Sequence, residues 1–278
     1  MLKKAYLEIT NQCNLGCSFC HGTKRPVRYI TTEEFTRAAK ELRRVSEYIY
    51  FHLMGEPLLH PELEEFFSIA HSLGFKVIIT TNGTLLGEKR DILLSSPALH
   101  KVSISIHAYE ANAMDMSLRE YLSVCLDFCR EASERSIITV MRLWNIGGEN
   151  RENDGILGIM KEYFTEEWAQ SRNGYKLCRN VFLEWGDRFD WPDEDAAEVG
   201  DCHSCYGLRD QVGVLSAGRV VPCCLDADGV ITLGNIFEEA IEDILAKPRA
   251  VALKRSFETR KIKEPLCLRC GFAAKRVK

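Results

Sequence analysis

Two periodicities take turns along the first two thirds of the chain. Short runs rich in β-branched and aromatic residues alternate with stretches whose apolar positions recur every three or four residues. Lys4 to Thr10 predicts a first strand. Thr31 opens a helix over Thr32 to Glu47, where Phe35, Ala38, Ala39, Leu42 and Val45 share one face. Tyr48 to Leu53 predicts a second strand, Pro61 to Leu73 a second helix and Lys76 to Thr81 a third strand. Lys101 to His107 and Ile137 to Leu143 follow as strands four and five, with a long helix from about Leu118 to Arg135 between them. Gly155 to Phe164 reads as helix, and Asn180 to Trp185 as a sixth strand.

Six β-α units in series predict an α/β fold with a parallel sheet and right-handed crossovers, open or curled into a partial (β/α)6 barrel of TIM type. From Gly186 the alternation stops. Asp187, Asp190, Asp193, Glu194, Asp195, Glu198 and Asp201 crowd a stretch punctuated by Trp and Pro, which reads as a solvated connector. Beyond it, Gln211 to Leu215 and Arg219 to Val221 alternate as a hairpin around Ser216-Ala217-Gly218, and Glu238 to Leu245 predicts a helix. A hairpin that short does not stand alone, so a metal staple is expected. The expected boundaries are a barrel over 1–190, an acidic linker over 191–201 and a small cysteine-rich domain over 202–278.

With 46% apolar and 27% charged residues, the 278-residue chain has the composition of a core-forming protein. A formal net charge of −4, with no basic stripe interleaved with aromatics, argues against a nucleic-acid partner. No apolar run reaches the length of a membrane span and no signal-peptide pattern opens the chain, so the expectation is a cytoplasmic protein without a membrane partner. Its twelve cysteines are then unlike disulfide partners, and their clustering points to metal.

The densest cluster is Cys13-Asn14-Leu15-Gly16-Cys17-Ser18-Phe19-Cys20, directly after the first strand. Thiolates this close repel one another unless a soft cation lies between them, so the candidates are zinc, with His21 as a fourth ligand, or an iron-sulfur cluster. Other unusual polar groups fall where the remaining strands end: Gly55-Glu56-Pro57, Thr81-Asn82-Gly83, the alternating Ser103, Ser105 and His107, and Arg142. In open and closed α/β sheets that end binds the ligand. Arg142 suits a carboxylate clamp or an ion pair with Glu8.

The C-x3-C-x2-C spacing with Phe19 before the last cysteine resembles the radical S-adenosylmethionine (SAM) enzymes. The resemblance implies that Cys13, Cys17 and Cys20 hold a [4Fe-4S] cluster whose fourth iron chelates SAM. Gly55 and Glu56 match the G-G-E-P segment that meets the SAM amino group in that family, although Met54 stands where the first glycine would be. Asn82, Ser103 and Ser105 resemble family contacts to the SAM ribose and carboxylate, and His107 and Arg142 are candidate cofactor-binding residues beside them. An electron donor such as flavodoxin or ferredoxin is implied as partner.

The tail carries Cys202, Cys205, Cys223, Cys224, Cys267 and Cys270. Its layout resembles the twitch domain, the short form of the SPASM extension, which holds an auxiliary [4Fe-4S] cluster; the resemblance implies Cys205, Cys223, Cys267 and Cys270 as ligands. Four thiolates in two paired segments also suit zinc. Cys202 is an alternative to Cys205, and Cys224 stays open as a ligand. Cys125 and Cys129, at helical spacing, read as core.

A four-cysteine auxiliary cage offers a substrate radical somewhere to lose an electron. The leading expectation is therefore oxidative dehydrogenation or crosslinking at an unactivated C–H of a ribosomally made peptide. Dehydrogenation or epimerisation of a small molecule such as a sugar or aminocyclitol is the alternative, and for epimerisation Cys178, Cys202 and Cys224 are candidate hydrogen donors. A non-catalytic metal-binding or electron-transfer module is the reading from a different class.

Overall fold

The computed structural model describes residues 1–200 and 205–275. Six strands of the first two thirds of the chain run parallel in the sheet: β1 (Lys4–Leu7), β2 (Tyr48–Tyr50), β3 (Lys76–Thr81), β4 (Leu99–Ile104), β5 (Ile138–Ile146) and, sixth in line, β8 (Val181–Asp187). Helices α1 (Thr32–Arg43), α2 (Leu63–Ser72), α3 (Leu86–Ser95), α4 (Leu118–Glu134) and α5 (Asn153–Tyr163) connect them. A hairpin of β6 (Ala169–Ser171) and β7 (Gly174–Cys178) precedes β8. The sheet is mixed and open, in the order β11-β10-β9-β1-β2-β3-β4-β5-β8-β7-β6.

The first three of those are the tail's contribution: β9 (Gln211–Val214), β10 (Arg219–Val221) and β11 (Gly234–Asn235). Strand β9 lies parallel to β1, with Lys4 opposite Gln211 and Leu7 opposite Val214. The expected hairpin is present, and its support is this ladder with the barrel sheet as well as any metal. Short helices α6 (Ile241–Ala246), α7 (Pro248–Glu258), α8 (Pro265–Leu268) and α9 (Gly271–Ala274) close the chain. The acidic stretch is strapped down, not a free tether: Val199 N–H donates to Leu268 O at 2.8 Å, and Arg269 holds Ala196 O and the Glu198 carboxylate.

Local chemistry sets the element ends. Thr31 and Glu34 form a reciprocal capping box at α1, and Ser117 and Glu120 form another at α4. Helix α1 stops at Arg43, short of Glu47, because Ser46 turns the chain: its N–H returns to Leu42 O and its Oγ accepts from Tyr48 N–H. Strand β4 ends at Ile104, and Ser105 starts a 3₁₀ turn over Ile106–Ala108, so His107 does not continue the strand alternation.

Alternation divides the sheet into two faces. Leu7, Ile49, Val77, Ile79, Val102, Ile104, Met141 and Leu183 pack outward with the helices in one core. Tyr6, Tyr50, Ile78, Thr80, Ser103, Val140 and Arg142 occupy the other positions and face the concave side. Tyr6, Leu53, Leu215 and Val221 form a separate small cluster there. Among the described residues, no helix is long and apolar enough to cross a membrane.

Candidate active site

The cysteine loop leaves β1 at the carboxyl end of the sheet, and each of its three sulfurs receives an N–H. Asn112 Nδ2 lies 3.1 Å from Cys17 Sγ, Gly22 N–H 3.4 Å from Cys20 Sγ, and Asn82 Nδ2 3.9 Å from Cys13 Sγ. Asn112 also accepts from Gly16 N–H at 3.0 Å, so a single side chain from the segment after β4 braces the loop twice. Burial pushes the Cys13 and Cys17 thiols up, and the neighbouring loop cysteines add to it. Such a group is hard to ionise without a cation and is matched by one. Three sulfurs with N–H donors fit a cluster, whose net charge those donors offset.

The turn after β2 is built against this loop. Gly55 has φ +77°, and a Cβ there would stand 2.5 Å from Thr10 O, so only glycine fits. Glu56 is 1% exposed. Its Oε2 accepts from Asn82 N–H at 2.7 Å and its Oε1 from Leu58 N–H at 3.1 Å, while its own N–H donates to Gln12 O. Burial outweighs those donors and raises its carboxyl to about 7. Glu56 is thus a strut between three strand ends. Asn82 is equally committed, with Nδ2 to Asn14 Oδ1 and Oδ1 accepting from Thr84.

His107, in its 3₁₀ turn, lies under Phe19 with ring centroids 4.6 Å apart. Its Nδ1–H donates to Arg142 O at 2.8 Å, and burial lowers it to about 4, so it is neutral. Ser105 is half-exposed at the same strand end; Ser103 is fully buried one step further in. The ion pair of Arg142 with Glu8 is not formed. Glu8, with no exposure, pairs bidentately with Arg25 at 2.8 and 2.7 Å and also accepts from Ser216 and Met54 N–H. Arg142 instead donates to Thr80 Oγ1 and stacks on Trp144, 4.5 Å from its ring centroid. His21 lies beside Trp191 and 4.0 Å from Asp228.

In the tail, Cys205, Cys223, Cys267 and Cys270 line one pocket whose other walls include Leu225, Ile231, Phe257 and Phe272. Burial raises each of the latter three thiols, and charge on Cys205 raises them further. Four thiols in an apolar pocket fit a fully ligated cluster. Among the described residues, no three His, Cys, Asp or Glu side chains converge tightly enough to hold a single ion. Cys224 faces the other way, hydrogen-bonded with Tyr6 on the concave side. Cys178 sits beside Val181, at the amino end of β8 and so opposite the cysteine loop, which removes it as a hydrogen donor at this site. Cys202 lies outside the described residues. The eleven described cysteines are free of disulfides.

The two cysteine regions are stitched together. Thr23 Oγ1 and Lys24 N–H donate to Asp228 Oδ1 at 2.6 and 2.9 Å, and Arg25 Nε donates to Ala227 O at 2.8 Å. Sequence reading missed Arg25, Asn112 and Asp228. The only sign was a lone carboxylate, Glu8, within an apolar strand.

A family model described as the radical SAM superfamily matches residues 7–157, more than half of the chain. The chain belongs to the radical SAM superfamily. A second model, the SPASM iron-sulfur cluster-binding domain, matches residues 202–271 of this radical SAM protein. The two domains imply a [4Fe-4S] cluster with SAM and an auxiliary iron-sulfur cluster. A probable GTP 3′,8-cyclase of Methanocella arvoryzae is 31% identical, covering 93% of this chain and 94% of that protein. An AdoMet-dependent heme synthase of Methanosarcina barkeri is 31% identical over 39% of this chain; the chain spans 32% of that protein and 42% of another heme synthase, from Oleidesulfovibrio alaskensis. Among solved structures, BtrN in complex with AdoMet and 2-DOIA superposes with TM-score 0.58 at 20% identity, over 97% of this chain and 93% of that one. Native anSMEcpe with AdoMet and the Cp18Cys peptide gives 0.64 at 14%, over 99% and 90%. At such identities the likeness is one of fold.

Proposed function

We propose that this radical SAM enzyme oxidises an unactivated C–H bond of a substrate held on the concave face of the sheet. Cys13, Cys17 and Cys20 would hold the SAM-binding cluster, and Cys205, Cys223, Cys267 and Cys270 the auxiliary one. When bound and given one electron by an external donor, the first cluster and SAM would supply the chemistry that removes a hydrogen atom from the substrate. The second would accept one electron from the substrate as it loses a proton to water.

The observation that carries this reading is the pair Cys223-Cys224. Cys223 lines the tail pocket, and its immediate neighbour Cys224 touches Tyr6 on the concave face. The concave face and the auxiliary pocket are thus lined by adjacent residues. The residues of the chain do the positioning: Gly55 and Glu56 join the strand ends, Phe19 rests on neutral His107, and Asp228 fixes the segment after Cys20. Solved structures sharing the fold include one with a peptide and one with a small molecule, so the fold alone does not choose between these substrate classes.

The test is anaerobic reconstitution followed by SAM and dithionite. The expected result is 5′-deoxyadenosine, lost in Cys13→Ala, and iron for two clusters, halved in Cys267→Ala/Cys270→Ala with 5′-deoxyadenosine still formed. No 5′-deoxyadenosine from a fully iron-loaded sample would favour the electron-transfer module instead.

A further inference from the structure

Below the strand ends, the concave face carries a polar layer that no contact to the cysteine loop uses. Asn82 reaches the loop; Thr80, on the same face, lies two residues back, about 6.6 Å deeper at 3.3 Å per residue. Arg142 Nη1 is 3.3 Å from Thr80 Oγ1, which puts its head group at that depth. In the ladder Thr80 is opposite Ser103, and Ser103 opposite Val140, two residues before Arg142 on the same strand face.

Two polar atoms of this layer are buried without a hydrogen-bond partner: Ser103 Oγ and Arg142 Nε. Ser103 has no exposure at all. His52 Nδ1 is a third such atom on the same face, beside Tyr6 and Tyr50. Buried polar groups without partners are costly and therefore rare in a folded protein. Arg142, Thr80 and His52 keep partial exposure as residues, while the unpartnered atoms themselves are covered, so a ligand meets them only when neighbouring side chains shift.

The charges select the ligand. Arg142 and Lys101 are cationic; Glu184, opposite Arg142 in the β5–β8 ladder, is the anion that acts on both. Among the described residues, no carboxylate lies within ion-pair distance of Arg142, and Glu8 is taken by Arg25. With Lys4 over the Tyr50 ring acting on the same groups, the layer therefore has positive charge in excess. With Nη1 on Thr80 and Trp144 against its face, Arg142 offers its Nε edge, which suits a planar two-oxygen anion.

We propose that this layer binds a carboxylate of the substrate, with Arg142 and Ser103 as its donors. The proposal rests on the radical SAM reading above and specifies its substrate class. It also reassigns Arg142 and Ser103 from the cofactor to the substrate, because neither side chain has a hydrogen bond to the cysteine loop that would hold the cluster.

The experiment is anaerobic calorimetry on the reconstituted full chain with phenylacetate, phenylacetamide, inorganic phosphate and the tripeptide amide Ala-Glu-Ala, and separately with SAM. Phenylacetate should bind in preference to its amide. Arg142→Gln should weaken it about tenfold and Ser103→Ala severalfold, with SAM affinity unchanged and Arg142→Lys keeping part of the binding. Binding of the tripeptide would assign the carboxylate to a peptide side chain, and its failure to bind beside phenylacetate to a small acid. Equal binding of acid and amide, tighter binding of phosphate, or loss of SAM affinity in Arg142→Gln would overturn the proposal. Formation of 5′-deoxyadenosine by the unmodified chain reports the underlying reading independently.

Discussion

Replacing Arg25 by Met tests how the cysteine loop is held to the tail. Glu8 has no exposure and receives four donors: both Arg25 terminal nitrogens, at 2.8 and 2.7 Å, Ser216 N–H at 3.1 Å and Met54 N–H at 3.3 Å. Arg25→Met keeps most of the stem and removes the cation, leaving a buried carboxylate on two backbone amides. Removing one member of a buried pair costs about 3–5 kcal/mol, and the two remaining donors place this case near the lower end. The lost Arg25 to Ala227 hydrogen bond adds about 1 kcal/mol. With a urea slope of about 3 kcal/mol per M, the unfolding midpoint should fall by roughly 1 M. Far-UV circular dichroism of the reconstituted protein in urea under anaerobic conditions measures it. In Glu8→Met/Arg25→Met the charge is gone from both sides, so the double variant should be less destabilised than the sum of the single ones. An unchanged midpoint in Arg25→Met, or simple additivity, would refute the reasoning that Glu8 needs its cation.

Gly55→Ala should cost at least 2–3 kcal/mol, because it combines a left-handed backbone with a methyl 2.5 Å from Thr10 O; the same urea titration would expose it, together with lower iron content. Asn112→Ala removes the hydrogen bond to Cys17 Sγ and should lower the reduction potential of the SAM-binding cluster in an electron-paramagnetic redox titration; a rise would contradict that role. Burial, aided by Arg142 and Lys4, holds His52 down at about 3 against its ordinary 6.5, so the unfolded chain takes up a proton that the folded chain refuses. Stability should therefore fall as pH drops from 6.5 towards 3, by about 1.4 kcal/mol per unit from this group, with His107 adding to the slope down to about 4. His52→Phe should flatten the acid limb of the urea midpoint against pH; an unchanged limb would show that His52 is not what destabilises the protein in acid.

Several features were legible locally because their cause is local. The alternation of Lys76 to Thr81, the capping residues Thr31 and Ser117, and three cysteines directly after a strand each depend on neighbours a few residues away. Helix α3 was not legible, since Glu88-Lys89-Arg90-Asp91 interrupts its apolar spacing and its buried residues are only Leu86, Leu93 and Leu94. The β6–β7 hairpin escaped notice although Arg172-Asn173-Gly174 carries a turn signal, because the strands on either side are too short and polar to show a period.

By itself, then, the sequence determined the succession of the six strands from β1 to β8 that alternate with helices, the glycine at Gly55 and the grouping of cysteines into two sets. Tertiary structure alone decided that β9 would pair with β1, that Arg25 and not Arg142 would neutralise Glu8, and that adjacent Cys223 and Cys224 would face different compartments. Those outcomes turn on which strands meet across long separations in the chain and on which of two arginines reaches a buried charge. Folding resolves them through contacts between segments far apart in the chain, and no single stretch contains both partners.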